Sequence, residues 1–546
     1  MARRAPSVPG LDKPSAPRKG SGPERMLVRV ALALSALALA LRFSAAGLLG
    51  YGDNEALYAS YALHPQPAYL DHPGFIGTIA KWLGTGGAPE PIIAHQVTAA
   101  WATAIPWLAG VAAWALGASR RGALLTVLAA LIAPPLAVGL FAFSPDLPLT
   151  TAWLGTLACV GYALRRPPSH LTVWAATLTA GLLVGIAGLS KLSGVLVGLG
   201  ILLGTLTSPQ RSRWRTAAPW LAVLAALVVL SPVFVWELQR GWPLFHRIIQ
   251  EPPRHTGGSI IAVAKQVAGQ ILYVTPLYLA AAIVLWKHLW RERRRNAALW
   301  ILHCVTWTSA IPLLAVGLWT GRTEPNWILP CYLSLLLYVG VRPILSRTFA
   351  WATLASGGLI SVLAFLWATT PLAPTYLGAA YSPKWDIAND MHSWGPGRQL
   401  LAEAVSRTIL DEGRPVPVVG PHWMVCAQAR AALSHAAQVP VGCNTPWRDD
   451  FDDWLPREKW LRSPTILYVY DSRFGLDPSL EFPDRDLRRL QKVHVRRGGR
   501  SVRTIYVATL IKREATARWS RIRSAAASHP HGLLHASGAA PLDPPP

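Results

Sequence analysis

Apolar runs of about 20 residues recur through the first two thirds of this sequence, and a run of that length crosses a bilayer as a helix. That recurrence constrains the chain more than any other feature. Eleven spans are expected, at roughly 27–49, 92–116, 122–143, 147–164, 172–189, 193–207, 217–236, 262–286, 298–317, 327–341 and 349–369. Charged residues make up only 15% of the chain, against about 25% in an average soluble domain. The 25 Trp fit the same reading, because Trp favours the membrane–water interface.

Lys and Arg exceed Asp and Glu by 24, an excess that in a soluble protein would point to nucleic acid. Here much of it sits in short gaps between apolar runs, so no nucleic-acid partner is expected. Arg3, Arg4, Lys13, Arg18, Lys19 and Arg25 precede the first span; alternate loops carry Arg120–Arg121, Arg165–Arg166, Arg211–Arg215, Lys287–Arg295 and Arg342–Arg347. All fall on one side of an eleven-span chain, and the positive-inside rule makes that side the cytoplasm. Residues 1–46 also resemble a cleaved signal peptide, though the apolar stretch is long for one.

The opposite side receives 50–91, the tips at Ser144–Pro148 and Lys191, the loops 237–261 and 318–326, and everything after about residue 370. The expected organisation is a basic cytoplasmic tail (1–26), a membrane domain (27–369), a small exported α/β domain (370–515) and a disordered tail (516–546). In the third of these, Leu400–Leu410 and Met424–Ser434 read as helices, Pro417–Gly420 and Thr465–Tyr470 as strands, and Val493–Arg497 with Val502–Leu510 as a hairpin around Gly498-Gly499. Cys426 and Cys443 lie there, where an oxidising compartment permits a disulfide; two unpaired thiols are the alternative. No zinc spacing is present.

The first outward loop opens Tyr51-Gly52-Asp53-Asn54-Glu55-Ala56-Leu57-Tyr58 and continues to Tyr69-Leu70-Asp71-His72-Pro73-Gly74. Carboxylates beside a span are functional candidates by default, and an acid there can serve as a general base. This acidic segment with its aromatic, just after the first span, resembles the GT-C glycosyltransferases. The closer resemblance is to glycosyltransferase family 39, which includes the protein O-mannosyltransferases and the bacterial lipid A aminoarabinose transferase. Bacterial members read D-E-A-Y-Y, then G-Y-x-D-H-P-P; here Gly74 replaces the second Pro and Asn54 stands where the family's Asp aligns. Further segments follow in order: Phe143–Leu149, Gly188–Gly194, Ser231–Glu237 with Gly241–Phe245, Glu324–Trp327 with Pro330, then Asp390–Gly395 and Asn444–Trp454.

The resemblance implies an inverting glycosyltransferase that moves a sugar from a polyprenyl-phosphate donor to a lipid, glycan or protein acceptor outside a bacterial inner membrane. It implies no cofactor and no metal. Asp53 is the first candidate for the base and Glu55 the second. Lys191, at an outward helix tip, is the candidate for the lipid phosphate, with Arg254 and Arg322 as further cations. Tyr58, Asp71, His72, Asp146 and Asn326 are candidates for substrate positioning. A lipid-linked-sugar flippase or a non-catalytic scaffold is the alternative; a transporter would place acids within the spans, where the sequence has almost none.

Overall fold

The computed structural model of the protein describes residues 22–250, 260–320, 324–384, 386–436, 438–475 and 477–513. Most of the N-terminal tail, the tail after Arg513, and the candidates Arg254 and Arg322 lie outside the described residues.

Seven helices are long and apolar enough to cross a membrane: Gly22–Ala46, Pro91–Ala115, Asp146–Leu164, Leu171–Ser190, Ala217–Gln239, Ala297–Gly317 and Arg347–Thr369. Three bent helix pairs and the shorter Pro325–Val341 fall on the remaining expected segments, in order. The expectations for 122–143 and 262–286 need correction, because neither is straight. Arg120–Ile132 meets Pro134–Phe141 at 69°, and Ala264–Val274 meets Pro276–Glu292 at 103°. A proline follows each break; it lacks the N–H that would continue the ladder and pushes the preceding residue out of helical conformation. Accordingly Ala133 is extended (φ −66°, ψ 121°) and Thr275 has a φ of 73°.

The first break is met by a charge the sequence reading left unassigned. Arg42, buried in the first span, donates to the carbonyls of Leu136 (3.1 Å) and Ala137 (2.7 Å) and to Thr103 Oγ1 (2.8 Å). An arginine inside a membrane span needs such partners, and the broken helix supplies them.

The bundle has two unlike ends. At one, Arg213 donates to the carbonyl of Arg166 (2.8 Å) and Arg342 pairs with Glu292 (3.3 Å). At the other, Asp146 opens its helix, Lys191 follows the Leu171–Ser190 helix, and Asn326 lies in the turn before Leu329–Val341.

Beyond Thr369 the chain builds an α/β domain. A long helix, Ala388–Glu412, precedes strands β1 (Val418–Gly420), β2 (Val441–Cys443), β3 (Thr465–Asp471), β4 (Arg485–Arg497) and β5 (Arg500–Lys512). The sheet order is β2-β1-β3-β5-β4; β1 runs parallel to β2 and β3, and β5 antiparallel to β3 and β4. The hairpin turns at Gly498-Gly499 as expected, but its strands are longer than the sequence suggested. Three-residue β2 was not anticipated. Cys426 and Cys443 form a disulfide between the Trp423–Ala432 helix and β2.

This domain does not hang free of the bundle. One hydrophobic core runs from Tyr51, Tyr61 and Tyr69 of the segment after the first span into Trp394, Leu467 and Ile505 of the domain. Backbone bonds reinforce it: Gly50 N donates to Met391 O (2.8 Å), and Gln428 Nε2 donates to Tyr51 O (2.9 Å).

Candidate active site

Between the bundle end that carries Asp146, Lys191 and Asn326 and the domain lies a cavity of about 640 Å³. Its walls come from segments that are far apart in sequence, and each is held in place by identifiable contacts.

The bundle wall is built on Asp146. Lys191 Nζ donates to its Oδ1 (2.8 Å) and Asn326 Nδ2 to its Oδ2 (2.8 Å), so three of the expected residues form one cluster lining the cavity. Lys191 reaches this place because the chain reverses tightly after Ser190. A Cβ on Gly194 would lie 2.1 Å from the backbone of Ala187, so the reversal requires glycine there.

The segment after the first span supplies the next wall. Tyr69 N donates to His72 O and Gly74 N to Pro67 O (2.7 Å), closing a small loop with Asp71 and His72 at its tip. This explains Gly74 in place of the resemblance's proline. Proline has no N–H to donate, and a Cβ would approach Gln66 O to 2.1 Å. Tyr58 OH lies 3.0 Å from His72 Nε2. Burial, then Lys191, push His72 down to about 4, and burial holds the Tyr58 phenol well above its usual range. The pair is therefore neutral near pH 7, with the phenol donating.

Asp71 pairs with Arg247 (2.7 Å), a residue the sequence reading did not single out. Arg247 sits on the short Pro243–Gln250 helix. Buried Glu237 receives the Leu244 and Phe245 amides at that helix's start (3.3 and 3.4 Å), which satisfies donors that a helix N-terminus leaves open. The Ser231–Glu237 and Gly241–Phe245 segments thus position a cation. Arg247 also donates to Arg448 O of the C-terminal domain (2.9 Å). Nothing in the sequence separates it from Arg254.

The two acids expected as bases are placed differently. Asp53 does not line the cavity. Its Oδ2 receives Arg473 (2.7 Å) and its Oδ1 receives Gln428 (3.0 Å). Arg473 also bonds Asp390 (3.0 Å) and Asp471 (2.8 Å), and Arg503 pairs with Asp390 (2.8 Å). Burial opposes the charge of Arg473, but Asp53 and Asp471 outweigh it and raise its pKa, so it stays protonated. Glu55 does line the cavity, yet Oε1 receives His95 Nε2 (2.9 Å) and Phe143 N (2.7 Å), and Oε2 receives Gly52 N (2.7 Å). Burial alone would raise its pKa; His95 and these backbone donors hold it below the usual range. Asn54 also faces the cavity. Among the described residues no three His, Cys, Asp or Glu side chains are grouped to hold a metal ion.

The last wall belongs to the C-terminal domain and carries His422, Trp423 and Trp447, none of them anticipated. Asp450 ties this domain to the first loop. It receives Leu70 N (2.9 Å) and Tyr61 OH (3.0 Å).

Residues 94–236 match the family described as dolichyl-phosphate-mannose-protein mannosyltransferase. No curated protein matches the chain by sequence. Among solved structures, the chain is similar to ArnT from Cupriavidus metallidurans bound to undecaprenyl phosphate, at 18% identity and a TM-score of 0.57, covering 89% of this chain and 98% of that one. The apo form of the same protein gives 16% identity and a TM-score of 0.57, over 88% and 98% of the two chains. At such identities the likeness is one of fold, and it extends over bundle and domain together. The chain is a multi-span membrane protein with the fold of ArnT, and its segment 94–236 matches the family described as dolichyl-phosphate-mannose-protein mannosyltransferase.

Proposed function

We propose that this protein transfers a sugar from a polyprenyl-phosphate donor to an acceptor hydroxyl, with inversion, in the cavity between bundle and domain, on the outer side of a bacterial inner membrane. The observation that carries this reading is that two cations, Lys191 and Arg247, line one cavity, each held by a carboxylate of that cavity, Asp146 and Asp71. A phosphodiester entering between them attracts both. Lys191 lies where a bundle helix ends and acts on the phosphate as a point charge. Charge that builds on the departing phosphate is stabilised by cations already in place.

The same movement supplies the base. When Arg247 turns to the phosphate, Asp71 loses its partner, and its side chain is already 38% exposed. Asp71 then takes the proton from the acceptor hydroxyl as that oxygen attacks the anomeric carbon. A C–O bond forms, the bond from the anomeric carbon to the phosphate oxygen breaks, and polyprenyl phosphate leaves with the electron pair. This reading moves the base from Asp53, which is bonded to Arg473 outside the cavity, and from Glu55, whose oxygens are already taken by Gly52 N, Phe143 N and His95. Asn54 cannot accept the proton and is left to hydrogen-bond substrate. The ArnT structure holds undecaprenyl phosphate in a protein of the same fold, which supports the donor class.

The test is a transfer assay on purified full-length protein, run once with undecaprenyl-phosphate sugars and once with the corresponding nucleotide sugars. Transfer from the lipid form alone is expected. Efficient transfer from the nucleotide form would overturn the reading.

A further inference from the structure

The cavity wall given by the C-terminal domain differs in chemistry from the rest, and the reaction proposed above does not use it. We infer that this wall is the acceptor subsite and that it takes a neutral saccharide. The inference rests on the function proposed above and deepens it by naming the acceptor class.

Three rings form the wall: His422, Trp423 and Trp447. His422 is fixed in place and in tautomer. It stacks on Phe474 (centroids 4.0 Å apart, planes 7°). Its Nδ1 accepts Met424 N (3.3 Å) as the cap of the Trp423–Ala432 helix. Accepting at Nδ1 places the ring proton on Nε2, and burial, followed by Arg473, lowers the ring's pKa. Neutral His422 therefore offers one N–H donor, which has no protein acceptor among the described residues. Trp423 adds an indole face and a second N–H in the same state.

Trp447 comes from a separate segment, and its place is also built. The disulfide between Cys426 and Cys443 joins the helix that begins at Trp423 to the end of β2, four residues before Trp447. Thr445 Oγ1 then bonds both Trp447 O (2.8 Å) and Asp449 Oδ2 (3.0 Å). Two indoles carried by two segments are thus held across one covalent link.

Rigid aromatic faces with neutral donors suit a pyranose, whose C–H face packs on an indole while its hydroxyls accept from the N–H groups. An anionic acceptor would call for a cation on this wall. Arg473, the cation behind His422, is already bonded to Asp53, Asp390 and Asp471. A peptide acceptor calls for main-chain partners along a strand edge, and the wall presents rings. Arg247 spans from Asp71 to Arg448 O, one residue from Trp447, so a sugar held on this wall lies beside the proposed base.

The experiment is saturation-transfer NMR on detergent-solubilised full-length protein with neutral methyl pyranosides and, separately, with a Ser/Thr-containing peptide. Wild type is compared with Trp423→Ala, Trp447→Ala and the matching Phe variants. Undecaprenyl-phosphate binding serves as the control for folding and for the donor site. The expected result is a pyranoside signal that falls at least about tenfold in each Ala variant and is partly kept in each Phe variant, as ring stacking requires, with undecaprenyl phosphate still bound. The inference is overturned if no pyranoside binds wild type, if both Ala variants bind as wild type does, or if the peptide binds through the same two Trp instead. Failure of wild type to bind undecaprenyl phosphate, with the pyranoside signal intact, would sink the donor reading and leave this one standing.

Discussion

The bundle wall and the domain wall of the cavity are held by different forces, and the difference separates their roles. On the bundle side, charge meets charge: Asp146 with Lys191, and beside it Asp71 with Arg247. Such contacts exchange partners readily when an anion arrives, since the cations gain as much from a phosphate as from a carboxylate. On the domain side, rings are fixed by a helix cap, a stack and a disulfide. These do not exchange. One wall is suited to a leaving group whose charge changes during the reaction, the other to a substrate that must be oriented and remain neutral.

The sharpest way to break this comparison is at the seam, where Asp71 and Arg247 join the two walls. Asp71→Asn should lower kcat by about 10²–10⁴-fold, the range for loss of a general base, with undecaprenyl-phosphate binding retained. Asp53→Asn is its control. It should reduce turnover far less than Asp71→Asn does and should lower the unfolding midpoint, because it weakens a buried ion network. Lost turnover in Asp53→Asn with an unchanged midpoint would return the base to Asp53.

Next in size is Lys191→Ala. Removing a preorganised charge from a departing oxyanion lowers the rate by about 10²–10³-fold, and the loss should show in donor use with acceptor affinity unchanged. Lys191→Arg should keep part of the activity, because one phosphate asks for a point charge more than for a fork. Equal loss of donor and acceptor binding in Lys191→Ala would mean that the two walls are not independent.

A third prediction concerns how the domain is carried. Arg473 is bonded to Asp53, Asp390 and Asp471 at once, so Arg473→Ala leaves buried Asp53 without its cation and Asp471 with only the more distant Arg503, while Asp390 keeps Arg503. Breaking a buried pair in this way destabilises by about 3–5 kcal/mol. The thermal midpoint of the purified protein should drop clearly, and by more than for Arg448→Ala, whose contact with Asp453 is exposed. Similar midpoints for the two variants would show that the network does not hold the domain.

What the sequence made legible was local. Each span is a continuous apolar run and needs no knowledge of its neighbours, which is why the expected segments coincide with helices even where prolines bend them. Lys191, Asp146 and Asn326 were legible through short motifs at the helix ends, and the structure brings them into one cluster. The partner of Asp53 was not legible, because Arg473 lies 420 residues away and no local pattern marks it. Arg247 was missed for the opposite reason, since several arginines fall in the loops between spans and only Glu237 at its helix start selects it. The aromatic wall escaped because Trp is abundant throughout the chain and its usual meaning here is the interface. Three-residue β2 is too short to carry a strand pattern of its own.

The smallest effect is also the one that bears most directly on how the domain grips the first loop. Asp450 is buried where Tyr61 OH and Leu70 N meet it, and burial, with Asp71 nearby, pushes its carboxyl up to about 7. Neighbouring Asp449 is pushed up to about 7 as well, by burial and Asp452. In the unfolded chain both carboxyls release their protons near the ordinary value of 3.8. Between that value and about 7 the folded domain holds protons that the unfolded chain gives up, so the stability these two carboxyls contribute is full below 3.8 and is lost as pH rises through about 7. Asp450→Asn removes one of the two titrations while keeping a polar partner for Leu70 N and Tyr61 OH. The variant should therefore lose part of the downward slope, match wild type near pH 4 and exceed it near pH 8. Thermal midpoints of both proteins across that range give the answer, and a slope unchanged by Asp450→Asn would place the titrating proton elsewhere.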